Sequence, residues 1–97
     1  MAAYVVIQVN VIDEEKYEDY KKLTPASIEK YGGRFLVRGG AQEDLEGALD
    51  YSRLVLLEFS DVERAKQWYA SPEYGKAKAL RANAATAIFT VVEGADG

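Results

Sequence analysis

The chain has 97 residues, room for one domain of about 100 residues and for no second core. It contains no Cys and no His, which excludes a disulfide framework, a thiol nucleophile, an imidazole base and metal centres of the usual ligand types, so no metal and no cofactor is expected. Twelve Lys and Arg against sixteen Asp and Glu give a net charge of −4, and the basic residues alternate with acids along the chain instead of forming the basic face that nucleic acid requires. The apolar opening is too short to cross a bilayer and lacks the basic start of a signal peptide, so a cytoplasmic protein is expected. A chain this small buries only about two-thirds of its unfolded surface, which makes a partner subunit plausible from the outset.

In chain order, Val5, Ile7, Val9 and Val11 alternate with Tyr4, Val6, Gln8 and Asn10, the period of a strand with one strongly apolar face. Asp13 caps a helix whose first turn carries Glu14 and Glu15 and whose apolar stripe runs through Tyr17, Tyr20, Leu23, Ile28 and Tyr31. Thr24-Pro25 interrupts that stripe and predicts a kink or two consecutive helices, ending at Gly32-Gly33. Phe35, Leu36 and Val37 form a short strand between Arg34 and Arg38, and Gly39-Gly40 marks a bulge or turn before the polar segment 41–50. A third strand runs from Leu54 to Phe59. Ser60-Asp61-Val62-Glu63 fits a capping box with Ser60 as the cap. The helix that follows carries Val62, Ala65, Trp68 and Tyr69, breaks at Ser71-Pro72, and resumes through Tyr74, Ala77, Leu80 and Ala84. Ile88 to Val92 is the last strand, and the tail 94–97 is expected to fray.

The order is βαββαβ, and a duplication shows in it: Thr24 lies eleven positions after the cap Asp13, and Ser71 eleven after the cap Ser60. Two such halves with right-handed crossovers predict an α+β ferredoxin-like sandwich, residues 1–97 as one domain, its antiparallel sheet ordered 4-1-3-2 with the helices on one face. Val5, Ile7, Val9, Phe35, Val37, Val55, Leu57, Phe59, Phe89 and Val91 are assigned to that covered face. The opposite face should be polar if it met water. Instead Val6, Leu36, Leu54, Leu56, Ile88 and Val92 lie there among Gln8, Asn10, Arg34, Arg38, Glu58 and Thr90. An apolar floor of that size calls for a cover, and the simplest is a second copy of the same sheet about a twofold axis.

Three segments carry a family likeness: Tyr31 to Gly40 (YGGRFLVRGG), the strand end Leu57-Glu58-Phe59, and Trp68-Tyr69 followed by Ser71-Pro72-Glu73-Tyr74. Together they resemble the bacterial domain-of-unknown-function family numbered 1330, a likeness that covers nearly the whole chain. The resemblance implies a dimeric α+β barrel in which two ferredoxin-like protomers close their sheets around a shared interior. It also implies kinship with a superfamily of cofactor-free monooxygenases, isomerases, cyclases and haem-handling enzymes. Several of those chemistries depend on a histidine, which is absent from this chain.

Arg38 and Glu58 are the candidate catalytic residues, both assigned to the barrel interior: Arg38 as a fork for a carboxylate or enolate oxygen, Glu58 as a general base raised by burial. A structural ion pair fixing the dimer is the competing reading, and Arg34 competes with Arg38 for Glu58 under the shorter hairpin register. Trp68, Tyr69 and Tyr74 flank the helix break and could wall an aromatic pocket, with Ser71 and the free amides of the next helix as an anion site; packing and capping are the plainer roles. Gln8, Asn10 and Thr90 are candidates for orienting a ligand inside the barrel. The expected function is a homodimeric binder of a small carboxylate-bearing or aromatic metabolite, with or without cofactor-free catalysis. The alternative is a non-catalytic ligand-sensing or assembly module.

Overall fold

Strong alternation in the first strand, β1 (Ala3–Val11), sends Val5, Ile7 and Val9 to one side, where they are buried, and leaves Tyr4, Val6 and Gln8 half-buried on the other. The computed structural model describes residues 1–95. After β1 come α1 (Glu14–Lys30), β2 (Arg34–Arg38), β3 (Arg53–Phe59), α2 (Val62–Tyr69), α3 (Pro72–Arg81) and β4 (Ala85–Glu93). The strands form one antiparallel sheet in the order β2-β3-β1-β4, the ferredoxin-like order expected. Val55, Leu57 and Phe59 of β3 extend the face begun by Val5, Ile7 and Val9, and the core there is closed by Tyr17, Tyr20 and Ile28 of α1, Ala65 and Trp68 of α2, and Tyr74 and Ala77 of α3.

Helix starts follow side-chain chemistry. The Asp13 carboxylate accepts from the Lys16 amide at 3.2 Å, as expected. In the second helix the cap is Asp61, not Ser60: its carboxylate accepts from the Arg64 amide at 2.7 Å. An anion at the positive end of a helix wins over the neutral hydroxyl one residue earlier. Ser71 caps α3 with Pro72 in its first turn, so the second half breaks where it was expected to. The first half does not break. α1 runs through Pro25 without interruption, and the duplication extends to topology and not to the helix break.

Continuity at Pro25 has a local cause. Proline donates no N–H, so the Lys21 carbonyl one turn earlier loses its helical partner. Two other groups supply it: Arg38 Nη2 donates to that oxygen at 2.9 Å and Thr24 Oγ1 at 3.3 Å. One turn further, Ser27 Oγ donates to the Thr24 carbonyl at 2.8 Å and accepts from Trp68 Nε1 at 3.1 Å. The inner side of the helix is thereby stitched to the sheet and to α2 at the point where it would otherwise kink.

The last strand is longer than expected, because Ala85 and Ala87 pair with Val11 and Val9 of β1 although alanine has little intrinsic preference for a strand. α3 ends at Arg81, so Ala84 lies past the helix, where its carbonyl accepts from the Ile12 and Asp13 amides. Gly94, where fraying was expected to begin, donates to the Ala2 carbonyl at 2.7 Å; positions 96 and 97 lie outside the described residues.

The candidate functional site

A register shift in the β2–β3 hairpin decides which residues meet. Arg34 pairs with Glu58 and Phe35 with Leu57, but Val37 pairs with Leu56 and Arg38 with Val55, because Leu36 forms a bulge. One extra residue reverses the parity of everything after it. Val37, expected under the helices, therefore joins the Leu56 side, and Arg38, expected on the open face beside Glu58, goes under the helices. Its guanidinium stacks 4.4 Å from the Phe35 ring centroid as it reaches the Lys21 carbonyl. The bulge sits at Leu36, and Gly39, at φ +70°, forms the turn after the strand.

The open face keeps the other polar candidates. Arg34 Nε donates to Glu58 Oε1 at 2.7 Å, so the shorter register holds and the carboxylate is engaged by Arg34. Gln8 Oε1 accepts from the Asp50 and Tyr51 amides at 3.0 and 3.3 Å and so anchors the end of the 39–52 loop to β1. Asn10 stands exposed opposite Thr86, and Thr90 exposed opposite Val6. Around them lie half-buried Val6, Leu54 and Leu56 and the exposed aliphatics Leu36 (41%), Ile88 (39%) and Val92 (47%). Among the described residues the 39–52 loop reaches one margin of this face, at Gln8 and Leu54.

The aromatic candidates divide. Trp68 and Tyr74 are 1% and 0% exposed, with ring centroids 4.4 Å apart, and pack the helices onto the sheet. The Ser71 hydroxyl donates to the Trp68 carbonyl at 2.6 Å and accepts from the Tyr74 amide at 3.0 Å, which occupies it with joining α2 to α3. Tyr69 is half-exposed, and with Trp68, Phe89 and Thr90 it lines a shallow apolar groove of about 300 Å³ between α2 and the edge strand β4.

A second concavity lies between α1 and the sheet, and sequence reasoning missed it. A narrow chamber of about 20 Å³, lined by Tyr17, Tyr20, Thr24, Phe35, Leu57 and Trp68 among others, has Lys21, Arg38 and Arg53 at its rim. It adjoins an outer cleft of about 330 Å³ bounded by Glu18, Lys21, Lys22, Arg38 and Arg53. Tyr20, in the chamber wall, shares a hydrogen bond of 2.9 Å with the buried Tyr74 hydroxyl. Burial pushes both phenols up, helped at Tyr20 by the neighbouring Tyr74 and opposed at Tyr74 by its bond with Tyr20 and by Arg81, so both stay neutral hydrogen-bonding groups and neither serves as a base near neutral pH. Arg53 was legible in part: it continues the alternation of Val55, Leu57 and Phe59 and so belongs to the helix side.

The profile of the family described as Domain of unknown function (DUF1330) matches residues 2–95. Among solved structures, a protein of unknown function from Rhodopseudomonas palustris is similar at a TM-score of 0.78 and 16% identity, over 99% of this chain and 84% of that one. SnoaB from Streptomyces nogalater, described as a cofactor-independent oxygenase, is similar at a TM-score of 0.66 and 13% identity, over 99% and 95% of the two chains. A dimeric protein of unknown function and ferredoxin-like fold from Bacteroides fragilis is similar at 0.62 and 16% identity, over 96% of each chain. No curated protein matches.

Proposed function

We infer from its place in the DUF1330 family, to which the chain belongs, and from the two concave regions above, a cytoplasmic homodimer that binds a small metabolite between helix layer and sheet. The observation that carries this reading is the chamber under α1: it is walled by aromatic rings, open at one end, and continuous with a charged cleft of a size suited to a small molecule. The open sheet face takes the other role. Its aliphatic floor meets a second copy, and Arg34–Glu58 sets the register of the pair. That assignment moves the ligand site away from the dimer interior and leaves the groove beside Tyr69 as a separate apolar surface.

Reaction chemistry of the kind named for SnoaB would belong to the cleft that meets the chamber, where Lys21, Arg38 and Arg53 can hold a substrate. Engagement of Glu58 by Arg34 favours a structural role for that carboxylate, and with it the non-catalytic reading of the open face. Trp68 is the single tryptophan of the chain and lines the chamber, so its fluorescence reports occupancy. Titration with a panel of small carboxylates and aromatics is expected to give a saturable change in Trp68 emission. Native mass spectrometry is expected to show a matching adduct. A panel without either signal contradicts the reading.

A further inference from the structure

We propose that the mouth of this chamber is a carboxylate site in which Arg38 and Arg53 together hold the anionic head of a small ligand with a flat apolar body. The proposal deepens the preceding reading and rests on it for the location of the ligand. Its first ground is charge. On a chain of net charge −4, four cationic side chains converge on one cleft with a single acid, Glu18. Glu18 is already paired with Lys21 at 3.1 Å, and Lys22 lies 4.0 Å from Asp19. Among the described residues neither arginine has an ion-pair partner, and Arg53 Nε, shut away from solvent, has no hydrogen-bond acceptor.

The second ground is preorganisation. Arg38 spends one donor on the Lys21 carbonyl left free by Pro25, and its plane is held against Phe35, so its remaining donors keep a fixed direction. Arg53 lies 5.5 Å from the Tyr17 ring centroid, and a side chain at Gly39 would collide with its guanidinium. Planar forks held this way suit bidentate recognition of a carboxylate and lose little freedom on binding. The third ground is continuity: Lys21, Arg38 and Arg53 bound both the cleft and the chamber, so an anion at the rim points an attached ring toward Tyr17 and Phe35. The chamber itself has room for about one water, so the body of the ligand lies in the cleft and only its leading edge enters.

The test is calorimetric titration of the intact protein with benzoate, with its neutral isostere benzamide, and with inorganic phosphate. Benzoate is expected to bind at least about tenfold more tightly than benzamide, as a charge-assisted fork implies. Arg53→Gln and Arg38→Gln should each weaken benzoate far more than benzamide and so remove most of that preference. Gly39→Ala keeps every charge but displaces Arg53 and strains a turn at φ +70°; compared at matched folding, checked by its unfolding transition, it should weaken benzoate more than benzamide. Equal binding of benzoate and benzamide overturns the carboxylate site and leaves the metabolite reading standing. Phosphate binding as tight as benzoate overturns the carboxylate assignment in favour of a phosphate head. Failure of both aromatic compounds to bind at millimolar concentration overturns the proposal and the reading beneath it.

Discussion

Pro25 and Arg38 show how one residue's deficiency becomes another's position. A proline inside a helix normally costs about 3 kcal/mol through a lost hydrogen bond and a clash. Here the orphaned Lys21 carbonyl is the acceptor that fixes Arg38 at the cleft. Pro25→Ala returns a helical donor to that carbonyl, so the two positions should be coupled. Arg38→Met is expected to cost about 1 kcal/mol in the natural background, and clearly less when Pro25 is also alanine, as measured by urea unfolding; the same cost in both backgrounds contradicts the account. Arg38 was recognisable in the sequence as an anion-binding candidate, but its face was not. Strand parity is readable only while the ladder is regular, and nothing in Arg34 to Arg38 distinguishes a bulge at Leu36 from one at the following glycines. Glu58 was legible, since β3 is regular throughout, and its partner proved to be the arginine directly opposite.

At the scale of elements, helix starts and the main strands were readable because capping and alternation are local. The continuity of α1 and the early start of β4 were not, because both depend on groups distant in sequence: Arg38 for the helix, and β1 for a strand opening on small residues. Another distant contact joins the two long helices. Glu73 in the first turn of α3 accepts from Lys30 at the end of α1 and from the Tyr31 hydroxyl at 3.0 Å. The hydrogen bond from Lys30, with those from the backbone and Tyr31, holds the Glu73 carboxyl at about 2, below the ordinary 4.5. A depressed acid stabilises the fold fully above its unfolded pKa and loses that contribution as pH falls through the folded one. The thermal midpoint of the natural protein should therefore exceed that of Glu73→Gln at neutral pH, with the gap closing between about pH 4.5 and pH 2. A gap independent of pH in that window contradicts the role assigned to Glu73.

At the scale of the whole molecule, the sheet has two apolar faces and only one helix layer to cover them. The open face displays Val6, Leu54, Leu56, Ile88 and Val92, with Arg34–Glu58 at one side and the 39–52 loop tied to it through Gln8. Exposed aliphatics in a continuous patch are costly to leave in water. We propose a division of labour, one face for assembly and the other for a ligand. The open face was legible from alternation alone; the cleft on the helix side was not, because it is built from residues that meet only after the hairpin bulges. The most direct test is the sedimentation mass of the natural protein and of Leu56→Asp at micromolar concentration. The natural protein is expected at twice the 10.7 kDa chain mass, and the variant, in which a charge enters the aliphatic floor, as a folded monomer. A monomeric natural protein, or a variant that remains fully dimeric, contradicts this division of labour.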